Sequence, residues 1–150
     1  ATSNDAYHPI APLPDGTGGA RAMHEALRDA GVDPAEVDHI NAHAASTPAG
    51  DLAESNAIRL VYGERAEQIP VTSVKGALGH CMGASGALET IAAVRSISDQ
   101  TIPPTLNYHS PDEAIGLDVV HGELRRLAAS LLKVSALLES THLGEDTTQP

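Results

Sequence analysis

Ile69-Pro70-Val71-Thr72-Ser73-Val74-Lys75-Gly76-Ala77-Leu78-Gly79-His80-Cys81-Met82-Gly83-Ala84-Ser85-Gly86-Ala87-Leu88-Glu89 is the stretch on which the reading of the fold turns. Residues 69–74 are a short, mostly apolar run of strand length, and residues 76–85 are rich in glycine. From there Ala84, Ala87, Leu88, Ile91, Val94 and Ile97 recur with a period of 3.6. Strand, glycine-rich turn, helix is a unit of α/β architecture.

The same alternation extends upstream. Residues 37–42 form a compact, partly apolar strand that runs into the small, turn-forming residues 45–50. His43 is therefore expected just beyond a strand end, where α/β proteins place their chemistry. Residues 51–62 predict a helix with Leu52, Ala53, Ala57, Leu60 and Val61 on one broad face, closed by Gly63. Ala20, Met23, Leu27 and Ala30 predict an earlier helix of about three turns ending at Gly31. Asp33, Pro34 and Glu36 are a helix-start signal: a capping side chain, a proline at the first helical position and a glutamate three residues after the cap. Residues 1–18, polar and rich in Pro, Gly and Asp, predict irregular structure.

Downstream, Pro103, Pro104 and Pro111 mark an extended connection, and residues 117–120 suit one more strand. The expected architecture is a mainly parallel sheet covered by helices over residues 1–122. In residues 123–150 the character changes: Leu124, Leu127, Leu131, Val134 and Leu138 predict an amphipathic helix, and a polar tail follows.

Composition narrows the function. Twenty acidic against nine basic residues leave a net charge of −11, which disfavours a nucleic-acid partner, because phosphate binding needs clustered Lys and Arg. No apolar run reaches the roughly 18 to 20 residues of a membrane span, and no signal peptide is legible, so a cytoplasmic location is expected. The core must pack on Ala, Val, Leu and Ile, since there is neither Phe nor Trp. The single cysteine, Cys81, excludes an internal disulfide framework and a cysteine-based zinc site. It reads as a small, partly buried residue rather than a reactive thiol. His8, His24, His39, His109, His121 and His142 lack mutual metal-ligand spacing, and no metal is expected.

Two segments concentrate chemistry. Asn41-Ala42-His43-Ala44-Ala45-Ser46-Thr47-Pro48-Ala49-Gly50-Asp51 surrounds a histidine with small residues that leave room for a ligand, and Thr47 offers a hydroxyl. Residues 75–89 place Lys75 and His80 five apart before a helix, with Glu89 about two turns further on. Lys75 and Glu89 admit two readings, a surface ion pair on a solvated helix or charged support for a site. The glycines between them lack Walker and dinucleotide spacing.

Taken in order, Asn-Ala-His with Ser-Thr-Pro-x-Gly-Asp-x-x-Glu, then Lys-x-x-x-Gly-His-x-x-Gly-Ala-x-Gly-Ala-x-Glu, resembles the paired signature of β-ketoacyl-acyl-carrier-protein synthases, the condensing enzymes. Supporting matches are Ser3-Asn4-Asp5-Ala6-Tyr7-His8, Pro103-Pro104-Thr105-Leu106-Asn107 and Pro111-Asp112. The resemblance covers residues 1–122 and is to the C-terminal half of that family. It implies a thiolase-like α/β fold, of which this chain is the C-terminal half of the duplicated layered structure. It also implies an acyltransferase activity, the Claisen condensation of an acyl thioester with malonyl-acyl-carrier protein in fatty-acid or polyketide synthesis.

On that resemblance His43 and His80 are the catalytic donors to the enolate, Lys75 orders the charge around them, Glu89 supports Lys75, and Thr47 contacts the pantetheine arm. No separate cofactor is implied, because the substrate carries phosphopantetheine on its carrier protein. The implied partners are the acyl carrier protein and either the N-terminal ketosynthase half or a further copy of the chain.

Three departures stand against the family pattern. The nucleophilic cysteine belongs to the N-terminal half and has no match here, nor is Cys81 its substitute. The terminal Gly-Phe-Gly-Gly segment has no counterpart after Arg126. Ala44 and Ala45 replace the usual Gly and Thr, removing one hydroxyl and adding a methyl near the site. The alternative reading is a non-catalytic, truncated remnant that acts, if at all, as a protein-binding domain.

Overall fold

The computed structural model describes residues 1–127 and 134–136. Helix α1 (Thr17–Ala30) ends at Gly31, whose left-handed φ of 63° lets its N–H close on the Arg28 and Leu27 carbonyls, as the sequence predicts. The start signal at Asp33 forms a complete capping box: the Asp33 side chain accepts from Ala35 N–H, and Glu36 returns a bond to Asp33 N–H. The helix it opens is a single 3-10 turn, Pro34–Glu36, which delivers the chain into strand β1 (His39–Asn41).

Helix α2 (Pro48–Tyr62) begins three residues before the expected start, with Pro48 at its first position. Strand β2 is Val71–Thr72, and the glycine-rich segment after it contains one helical turn, α3 (Lys75–Leu78). A 3-10 turn at Met82–Ala84 leads into α4 (Ser85–Asp99) and then β3 (Thr101–Ile102). Two further strands follow, β4 (Arg125–Arg126) and β5 (Val134–Ala136).

The sheet has the order β2-β1-β5 with every ladder parallel, and Val119 adds a parallel bridge to Val71 on the far side of β2. β3 and β4 make a separate antiparallel pair. The segment expected as an amphipathic helix from Leu124 is thus corrected where it is described. The unpaired edges of β3 and β1 offer backbone hydrogen bonds that outweigh helical leucine spacing. The rest of that expected helix, and His142, lie outside the described residues.

The core joins α1, α2 and the sheet through Met23, Leu27, Val37, Ile40, Ala57, Ile58, Val61, Tyr62 and Ile69. Small residues at the seam between the start of α1 and α2 let the two approach closely. Gly16, at φ 77°, lies against the backbone N of Ala57 and the carbonyl of Ala53, where a Cβ would collide. Leu52 and Leu60, expected on the buried face of α2, are exposed, and Ser55 and Tyr62 take their place.

α4 departs further from expectation. Its buried face is Ser85, Glu89, Ala93 and Ser96, while Ile91 and Val94 are 60% and 57% exposed, an apolar stripe turned outward. No helix among the described residues is long and apolar enough to cross a membrane.

Candidate functional site

Parallel pairing puts the carboxyl ends of β1 and β2 at one edge, with Asn41 in register with Thr72. His43, two residues past β1, and Lys75, three past β2, therefore emerge side by side. Lys75 Nζ lies 3.2 Å from Nδ1 of His43 and forms an ion pair with Glu89. The side chains of this pair are 7% and 1% exposed, so it is a buried pair and not a solvated surface one. Asn41 ties β1 to the same helix by donating from Nδ2 to the Glu89 carbonyl at 3.0 Å.

His80 reaches the cluster from the loop between α3 and α4. Its ring meets that of His43 edge to face, with centroids 5.3 Å apart and planes at 82°. Two neighbours fix its orientation. Met82 N–H donates to Nδ1 at 3.2 Å, and the buried Ser85 hydroxyl, which accepts from Cys81 N–H, lies 3.2 Å from the same nitrogen. A backbone N–H only donates, so Nδ1 of His80 is an acceptor and its ring proton sits on Nε2. The same logic holds for His43, because an ammonium carries no lone pair and Nδ1 must accept from Lys75. Both rings are thereby fixed as Nε2–H tautomers.

The loop that carries His43 bends sharply. Ala44 and Ser46 have φ of 35° and 63°, a region that side-chain-bearing residues adopt at a cost. Thr47 precedes α2 at its N-cap position and is exposed. Gly76 in α3 meets the carbonyl of Leu106, and Asn107 donates to the Gly76 carbonyl at 2.8 Å, which fastens the proline-rich connection beside Lys75.

Two electrostatic features flank the site. Burial lowers the pKa of His39 from 6.5 to about 4; its Nε2 pairs with Thr72 Oγ1 at 2.7 Å across the β1–β2 ladder. Burial raises the part-buried Glu54 carboxyl to about 7, against the lowering effect of the Ala44 and His43 backbone N–H groups. Cys81, expected partly buried, is exposed.

The carboxyl edge of the parallel strands thus carries two imidazoles of fixed tautomer beside a buried lysine–glutamate pair. Residues 1–109 match the family model described as the β-ketoacyl synthase C-terminal domain, and the chain belongs to that family. It is 47% identical over 125 residues to 3-oxoacyl-[acyl-carrier-protein] synthase 2 of Coxiella burnetii, covering 83% of this chain and 30% of that protein. Among solved structures it resembles a chain from a type II polyketide acyl-carrier protein in complex with its ketosynthase bound to the hexaketide. There the TM-score is 0.79 at 40% identity, covering 83% of this chain and 30% of the other. A β-ketoacyl synthase from Burkholderia phymatum gives a TM-score of 0.76 at 38% identity, with coverages of 84% and 30%. The chain is accordingly part of a thiolase-like α/β fold and spans about 30% of the length of these relatives.

Of the residues singled out from sequence, His43, His80, Lys75 and Glu89 converge, and Thr47 is exposed at the start of α2. Ser85 and Glu54 were missed. Both lie inside the quoted signatures, Ser85 between Ala84 and Gly86, and Glu54 as the last residue of Ser-Thr-Pro-x-Gly-Asp-x-x-Glu.

Proposed function

We propose that this chain is the C-terminal portion of a β-ketoacyl-acyl-carrier-protein synthase, supplying the two histidines for condensation of an acyl thioester with malonyl-acyl-carrier protein. The observation that carries the reading is the pair of imidazoles in edge-to-face contact, each held as the Nε2–H tautomer by a donor on Nδ1. Loss of CO₂ from a malonyl thioester leaves an enolate whose negative charge sits on the thioester oxygen. Two preorganised N–H donors stabilise that charge without reorganising as it develops, each worth roughly 10²–10³ in rate.

Lys75 contributes by holding His43 in its tautomer, and Glu89 by balancing the lysine charge in a buried setting. Thr47, at the exposed rim of the loop, is assigned to the pantetheine arm of the carrier protein. The acyl-accepting cysteine is assigned to an N-terminal portion outside this chain, because Cys81 is exposed and its Sγ faces the carbonyls of Leu78 and Gly79 at 3.7 and 3.9 Å, which do not activate a thiol.

The outward apolar stripe of α4 favours a second reading, a non-catalytic remnant that binds a partner. Mixing the chain with a separately expressed N-terminal portion of a related synthase, then supplying acyl- and malonyl-carrier protein, separates the two. β-Ketoacyl-carrier protein detected by mass spectrometry supports the condensing role. Two folded portions that yield no product support the remnant.

A further inference from the structure

Glu54 belongs to α2, yet its carboxylate lies against the loop leaving β1. Its Oε1 accepts from His43 N–H at 2.7 Å and its Oε2 from Ala44 N–H at 2.8 Å. Two oxygens on two consecutive amides form a fork that fixes both the position and the rotation of the peptide between them. That peptide carries the imidazole on one side and the φ 35° of Ala44 on the other. The His43 side chain is thus held from both ends, at its backbone by Glu54 and at Nδ1 by Lys75.

We infer that Glu54 is a positioning residue for His43: its carboxylate locks the strained turn at Ala44 and so sets the aim of the imidazole. The catalytic meaning of this inference rests on the reading of His43 as an enolate donor; the clamp itself does not.

The groups acting on the clamp are few. Asp51, on the same helix, disfavours the Glu54 charge, while Lys75 on α3, itself paired to Glu89, favours it; the His43 imidazole sits on the clamped residue. Burial dominates and places the carboxyl near 7. The ionised form accepts from both amides. On protonation one oxygen carries the proton and becomes a poorer acceptor, which weakens that arm of the clamp.

Nuclear magnetic resonance of the full 150-residue chain tests this without any requirement for activity. The side-chain carboxyl carbon of Glu54 and the amide protons of His43 and Ala44 are followed from about pH 5.5 to 8.5, with the ring carbons of His43 followed alongside to separate the imidazole's own titration. The expected result is an inflection near 7 in the Glu54 carboxyl that both amides share, with that component of the amide shifts gone in Glu54→Gln. Exchange of the two amides with solvent should also accelerate about tenfold or more in that variant.

The inference is overturned if Glu54 titrates while both amides stay still, or if the amide component that tracks the Glu54 carboxyl survives in a folded Glu54→Gln chain. Should Glu54→Gln not fold, the titration of the unsubstituted chain decides by itself. Absence of condensing activity in a mixed assay would count against the proposed function and leave this result untouched.

Discussion

The Lys75 ammonium donates to Nδ1 of His43 at 3.2 Å while ion-paired to the buried Glu89, so one cation both fixes a tautomer and neutralises a carboxylate inside the fold. Removing it leaves Glu89 charged and uncompensated. Lys75→Met should therefore destabilise the chain by about 3–5 kcal/mol, and Lys75→Met with Glu89→Leu should recover most of that loss. Urea denaturation of the single and double variants checks both statements; equal stability of the two would show that the pair carries no such coupling.

Ala44 holds φ 35°, a conformation disfavoured for any residue with a Cβ. Relief of that strain, roughly 1–2 kcal/mol, exceeds the extra unfolded-state entropy that glycine brings, about 0.4–1 kcal/mol. Ala44→Gly should raise the urea midpoint, by an amount equivalent to about 0.5–1 kcal/mol. A lowered midpoint would mean that the turn is relaxed with alanine in place.

The pH dependence of stability should come from two opposed groups. The folded pKa of His39 is lowered from 6.5 to about 4, so its burial stabilises the fold above pH 6.5 and that contribution is lost as pH falls towards 4. The folded pKa of Glu54 is raised from 4.5 to about 7, so its contribution is complete below pH 4.5 and is lost as pH rises through 7. Each displacement corresponds to roughly 3 kcal/mol, discounted somewhat for the partial exposure of Glu54, and the signs cancel between about pH 4.5 and 6.5. Thermal melts across that window should be nearly flat for the unsubstituted chain. They should rise on acidification for His39→Gln and fall for Glu54→Gln, and parallel profiles for all three would refute the assignment.

Ile91 and Val94, at i and i+3 on α4, present an exposed apolar stripe. At micromolar concentration the chain alone should self-associate, and Ile91→Glu with Val94→Lys should weaken that association. Sedimentation velocity showing a stable monomer of the unsubstituted chain would contradict it.

Much of this arrangement was legible in sequence because local chemistry and fold agreed. Gly31 and the Asp33–Glu36 box mark their helix boundaries by backbone requirements that tertiary context does not override. The alternation of elements places His43 and Lys75 at strand ends, and the parallel register then brings them together.

Where the reading missed, a single cause recurs: periodicity reports an angle on a helix, not which face turns inward. In α4 the apolar stripe points out because Glu89 and Ser85 are anchored inward by Lys75 and by the His80 loop. The strands at Arg125–Arg126 and Val134–Ala136 answer the hydrogen-bond demand of β3 and β1, which no window over residues 124–138 contains. Glu54 was hidden for a similar reason, since its partners are backbone amides ten and eleven residues away, and backbone amides have no sequence signature.

The most direct measurement is the rate of malonyl-acyl-carrier-protein decarboxylation by this chain combined with an N-terminal synthase portion, compared among the unsubstituted, His43→Ala and His80→Ala forms. If both Nε2–H groups stabilise the enolate, each substitution should lower the rate by roughly 10²–10³ while the fold persists. Decarboxylation at an unchanged rate in either folded variant would contradict the account.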